Sequence, residues 1–344
     1  MTDRLSIDEF QPRSELIVPE HKIIKAKFPV IDAHNHPTYP GFGFERIELE
    51  QLLSEMDVLN VKTIVNLSGG SGDELKQNLR RWDDAYPGRF VTYCNIDFKG
   101  VGQPGWTDRA CDQLLADIRT GARGLKIYKE LGLRIRDTQN LLVKPDDQRL
   151  YDLWEIAGEA GLPVTIHTAD PTAFFRPLDR FNERWDELQD RPEWHFYGPE
   201  FPSFKQLMDS LYHLIASHPK TNFITAHVGC HPENLEFVSR MMERYSNLYT
   251  DIGARLAELG RAPYSARDWF IRFADRILFG TDLSPRAAMY RVHFRFLETD
   301  DEYFEYDADS VIPTQGRWRI YGVYLPDDVL RKVYYDNAAK LLKI

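Results

Sequence analysis

Short runs of apolar and β-branched residues recur at 30–34, 63–67, 90–94, 124–128, 163–167, 222–227, 247–251 and 276–282, and longer segments with helical spacing separate them. Runs of four to seven residues are strand-sized, and strands that alternate with helices build parallel βαβ units. Eight such units close on themselves, so the pattern predicts an α/β fold of the (β/α)8 TIM-barrel class. At 344 residues the chain fits one barrel domain spanning 1–344, with 1–27 read as an N-terminal arm packing on it.

The helices carry readable boundaries. Between the fourth and fifth runs, Asp146 can cap a helix whose buried face is Leu150, Leu153, Trp154, Ala157 and Ala160, and Gly161 followed by Pro163 stops it. From about 327 to 341 the same spacing recurs in Leu330, Val333, Tyr334, Ala338 and Leu341. Three connections, roughly 130–145, 168–203 and 283–325, are too long for bare turns after strands four, five and eight. They lie on the face where barrel strands end, and their aromatics and arginines read as lids.

Charge and cysteine content exclude several classes. A formal net charge of −10 argues against a nucleic-acid surface, and no apolar run approaches the length of a membrane span. Cys94, Cys111 and Cys230 lack metal-type spacing and read as reduced thiols of a cytoplasmic protein. The first ten residues carry acids where a signal peptide would carry bases.

His34 and His36 close the first run at spacing i, i+2, which puts both rings on one face of a strand with Asp32 on the same parity. Alone, the pair reads equally as solvated residues before the turn at Pro37. His167 closes the fifth run, His227 the sixth and Asp282 the eighth, so four of the ten histidines and one carboxylate fall at the ends of barrel strands. Imidazoles and a carboxylate suit one divalent metal ion, Zn²⁺ first, with Mn²⁺ or Fe²⁺ accepted by similar ligands. Lys126 on the fourth run and Arg255 after the seventh are candidate anchors for a substrate carboxylate, although a strand-end lysine can also simply reach outward to water. Arg176, Arg286 and Arg291 in the lids are weaker candidates of the same kind.

Asp32-Ala-His34-Asn-His36, His167, Thr-Ala-His227-Val-Gly and Phe279-Gly-Thr-Asp282, with the closing Tyr335-Asp-Asn337-Ala-Ala-Lys-Leu341, resemble the amidohydrolase superfamily and its amidohydrolase-related (family 2) branch. The resemblance covers about 28–342. It implies that His34, His36, His167 and Asp282 hold one metal and that His227 stands beside the open position as electrophile or acid. It also implies a hydrolase in which metal-bound hydroxide attacks an ester, lactone or amide carbonyl of a small acid, with Asp282 as general base. The alternative within the branch is a non-oxidative decarboxylase similar to aminocarboxymuconate semialdehyde decarboxylase. Other branches use a strand-four lysine to bridge two metals; here a single-metal site is expected, with Lys126 orienting charge. The partner is a small, carboxylate-bearing molecule, and a homo-oligomer is compatible with this reading.

Overall fold

Every predicted run falls on a parallel strand: β1 (Val30–Asn35), β2 (Val61–Asn66), β3 (Phe90–Thr92), β4 (Cys94–Asn95), β5 (Leu125–Ile127), β6 (Val164–Ile166), β7 (Phe223–Thr225), β8 (Leu248–Asp251) and β9 (Ile277–Leu278). These come from a computed structural model that describes residues 5–7, 9–39, 48–307, 310 and 312–344. The ladders run β1-β2-β3 and β4 through β9 in order. β3 and β4 occupy one strand position. Tyr93 between them donates its N–H to Asn66, while the Cys94 N–H donates to Gly124, so one segment passes from one neighbour to the next. At the other seam the Ala33 N–H donates to Phe279 at 2.9 Å and the Asp282 N–H to His34 at 2.8 Å. Eight strand positions are thereby joined in a TIM-barrel arrangement.

Strict alternation fails in β1. Its pairing with β2 shifts register between Asp32 and Asn35, and such an irregularity re-aims side chains. Asp32 therefore does not share the histidines' surroundings, as parity predicts. Its carboxylate accepts bonds from Asn35 Nδ2, the Thr281 N–H and hydroxyl, and Tyr290 Oη at 2.7–3.0 Å.

Helices cover the strands. Tyr151–Ala160 ends at Gly161 in the left-handed region, φ 65°, as predicted. Its start differs: a 3-10 turn, Gln148–Leu150, precedes it and Asp147 is the cap, accepting from the Arg149 N–H at 3.0 Å. Asp146 instead bonds Ser210 and His213 on a neighbouring helix. The C-terminal helix is interrupted by a π turn at Lys332–Asp336 between Asp327–Arg331 and Asn337–Leu342. Within that turn the Val333 carbonyl accepts from the Phe279 N–H at 2.9 Å. Asn337 Nδ2 reaches the carbonyls of Ala274 and Ile277, so the helix is pinned to the last strand. Ile31, Val65, Val91, Ile224 and Leu278 cluster with Ala338, Leu341 and Leu342 of this helix. The chain end, Ile344, lies among residues 88–91 and 120–123 where strands begin. That apolar plug leaves the strands' C-terminal ends to the polar residues.

Two of the long connections carry structure of their own. The one after β6 contains the short helix Trp185–Asp190. The one after β9 contains a full helix, Ala287–Glu298, that buries Tyr290, His293, Phe294, Phe296 and Leu297. The arm is fastened by His21 to Asp301 and by the Ile24 carbonyl to Arg291, while Leu16 and Ile17 stay exposed. No described helix is long and apolar enough to cross a membrane.

Candidate metal centre

Three strands bring these strand-end residues together. His34 lies in β1 and His36 just beyond it, His227 comes two residues after β7, and Asp282 follows β9 with φ 52°. The approach of the last segment depends on Gly280, where an added Cβ would meet His34 Cβ at 2.7 Å. One ligating atom from each of His34, His227 and Asp282 lies within 4.8 Å of the other two. Asp282 is the hub: its oxygens stand 3.7 Å from His34 Nε2, 3.4 Å from His36 Nε2 and 3.6 Å from His227 Nε2.

The outer ring nitrogens define the tautomers. His34 Nδ1 is 2.8 Å from Asp251 Oδ2, and His227 Nδ1 is 2.8 Å from the Gly253 carbonyl. Both partners accept, so both imidazoles carry their proton on Nδ1. His36 Nδ1 is 2.6 Å from Ser68 Oγ, which lies 2.7 Å from Tyr128 Oη, and that hydroxyl donates to the Leu67 carbonyl. A relay that ends on a carbonyl makes His36 donate as well. Three Nε2 lone pairs therefore face one carboxyl group, and His227 Nε2 and Asp282 Oδ1 are buried without a hydrogen-bond partner. Lone pairs gathered in this way call for a cation.

Electrostatics agree. Burial, reinforced by Lys126, holds His34 and His36 well below the usual imidazole range, and burial with Arg255 does the same for His227. All three are the neutral form that ligates metals. Burial pushes Asp282 up to about 7 against the opposing pull of Lys126. In its Nδ1–H tautomer His227 has no proton on Nε2, so the acid role expected of it needs a protonated ring, which burial disfavours.

His167 is placed differently. Its ring centroid is 4.4 Å from that of His227, but its Nε2 is 3.2 Å from Asp170 Oδ1. Burial would raise the Asp170 carboxyl; Lys129, at 2.5 Å, and His167 outweigh it and hold it well below the carboxylate range. Lys129 in turn lies under Trp194 and Phe196 from the connection after β6, so that connection does cover the strand ends. Lys126 does not reach outward to water. It is fully buried with Nζ 3.5 Å from His34 Nε2. Arg255 is also buried, bonding the Ala254 carbonyl and standing 3.9 Å from Asp170. Arg176, Arg286 and Arg291 are exposed. A cavity of about 490 Å³ is lined by Lys126, Tyr128, Phe98 and Ile135, and one of about 210 Å³ by Ala254, Leu283, Met289 and Gln315.

Sequence reading missed Ser68, Asp170 and Asp251. Asp251 closes a run just as the histidines do, so its strand-end place was the available signal. Ser68 follows β2 by two residues and has only position to mark it.

The sequence matches the family described as Amidohydrolase over residues 31–344. No curated protein matches the chain. Among solved structures, an uncharacterized TIM-barrel protein from Bordetella bronchiseptica superposes with a TM-score of 0.58 at 17% identity, covering 92% of this chain and 99% of that one. A dihydroxybenzoic acid decarboxylase from a Polaromonas species, with bound manganese and an inhibitor, gives 0.55 at 14% identity over 92% and 97%. A probable 2-pyrone-4,6-dicarboxylic acid hydrolase from Acinetobacter baumannii, with citric acid bound, gives 0.51 at 10% over 92% and 100%.

Proposed function

This chain belongs to the amidohydrolase family, and from that premise we propose that it is a metal-dependent hydrolase of small carboxylate-bearing esters, lactones or amides. The family includes both hydrolases and decarboxylases. What supports metal dependence is the convergence of the His34, His36 and His227 Nε2 lone pairs on Asp282. His34, His36 and Asp282 would hold the ion, with His227 or, once turned from Asp170, His167 completing the set. When bound, the ion would polarise the substrate carbonyl and acidify a water; zinc suits these ligands best, and manganese or iron also fit.

Asp282 then supplies the base. Standing beside the ion, its carboxylate would take a proton from the attacking water and return it to the leaving group. Lys126 and Arg255, both buried at the strand ends, would pair with the substrate's carboxylate. The cavity lined by Lys126 and Tyr128 would hold the rest of the molecule. One barrel domain, working in the cytoplasm, would carry all of this.

The test is chelation followed by reloading with zinc, manganese or iron and assay against lactone and ester carboxylates. The expected result is metal-dependent ring opening or ester cleavage without gas release. Release of CO₂ from an unsaturated or aromatic acid would replace this reading with a carboxy-lyase. Failure of the protein to take up any of the three metals would remove both.

A further inference from the structure

We infer that Asp251 is the positioning residue of this centre, holding His34 in one tautomer and fixing the turn that carries His227; this rests on the metal reading above. Asp251 ends β8 and is fully buried. Its Oδ2 lies 2.8 Å from His34 Nδ1. Its Oδ1 accepts the His227 N–H at 3.1 Å and the Gly253 N–H at 2.9 Å, and the Gly253 carbonyl in turn accepts His227 Nδ1 at 2.8 Å. One carboxylate thus sets the orientation of two imidazoles that arrive from strands on either side of β8.

The turn at His227 shows why such a hold is needed. His227, Val228, Gly229 and Cys230 have φ of 60°, 57°, 67° and 58°, four consecutive left-handed residues of which three are not glycine. L-residues resist that conformation, and it persists only where the surroundings over-determine it. The end of β8 does so: besides the Asp251 bond to the His227 N–H, Thr250 Oγ1 accepts the Gly229 N–H at 2.9 Å. Close approach requires bare backbone at Gly253, where a Cβ would come within 3.1 Å of Asp251 Oδ1 and 3.3 Å of His34 Nδ1. A carboxylate only accepts, so His34 must donate from Nδ1 and present its Nε2 lone pair inward.

Asp251→Asn preserves size and one accepting oxygen but places an N–H₂ group within reach of His34. In metal-free protein, ¹⁵N imidazole spectra should show His34 as Nδ1–H in the parent chain and shifted toward Nε2–H in the variant. Zinc affinity, measured by chelator competition, should fall about 10- to 100-fold. An unchanged His34 tautomer with zinc affinity within twofold of the parent would reduce Asp251 to a packing residue. Should the variant not fold, the parent spectrum decides: Nδ1–H supports the assignment and Nε2–H overturns it. Neither readout depends on turnover, so a chain that binds zinc yet hydrolyses nothing would count against the proposed reaction alone.

Discussion

His167 gives its Nε2 to Asp170, 3.2 Å away, rather than to the carboxylate that gathers the other three histidines. Metal retention should therefore divide the histidines. His34→Ala and His227→Ala are expected to lower zinc affinity at least about 100-fold, whereas His167→Ala lowers it roughly 10-fold or less. Chelator competition on the purified variants measures both. Equal losses at His167 and His34 would show that the ring leaves Asp170 when metal arrives, and Asp170→Asn should then tighten binding.

Gly280→Ala puts a methyl group 2.7 Å from His34 Cβ and 3.2 Å from its backbone nitrogen. Neither is the flexible end of a side chain, so β1 must shift. The expected cost is about 1–3 kcal/mol in urea unfolding, with a zinc affinity that falls alongside. Stability and metal affinity both equal to those of the parent would mean that the two segments are not as tightly apposed as this.

Barrel and strand-end chemistry were legible because both follow from local pattern. β-branched runs mark strands, and a strand fixes which residues reach its end. Asp32 was misplaced because a register shift in β1 cannot be seen in periodicity. Asp146 and Asp147 are adjacent acids, and only backbone dihedrals decide which one caps. Asp170 and Ser68 act on His167 and His36 across loop geometry that no spacing rule encodes. The tautomers of His34 and His227 depend likewise on partners more than twenty residues away.

Lys126 separates substrate charge from metal binding. Its ammonium stands 3.5 Å from His34 Nε2, inside the barrel and out of water. Lys126→Met removes the charge and keeps the length. Zinc should bind as tightly as before or more so, since a like charge is gone. For a carboxylate substrate kcat/KM should drop about 10- to 100-fold, in line with ~1.5–3 kcal/mol for a charged hydrogen bond. A matched neutral ester should lose much less. Equal losses on both substrates would assign Lys126 to the reaction step instead of to recognition.

His293 offers a pH test away from the metal ligands. It is fully buried on the helix Ala287–Glu298, with Nδ1 bonded to the Met289 carbonyl. Burial lowers its pKa to about 4 from an ordinary value of 6.5. Between those values the unfolded chain binds the proton and the folded chain does not, so stability rises with pH across this window. It is fully present above 6.5 and is lost as pH falls to about 4. A shift of this size corresponds to roughly 3 kcal/mol. His293→Gln cannot titrate, so the stability difference between parent and variant should change by up to about that amount from pH 7 to pH 4, with the parent losing more. Other buried histidines contribute equally to both chains and cancel. Parallel urea-unfolding curves across the range would show that His293 meets its proton without opening the helix.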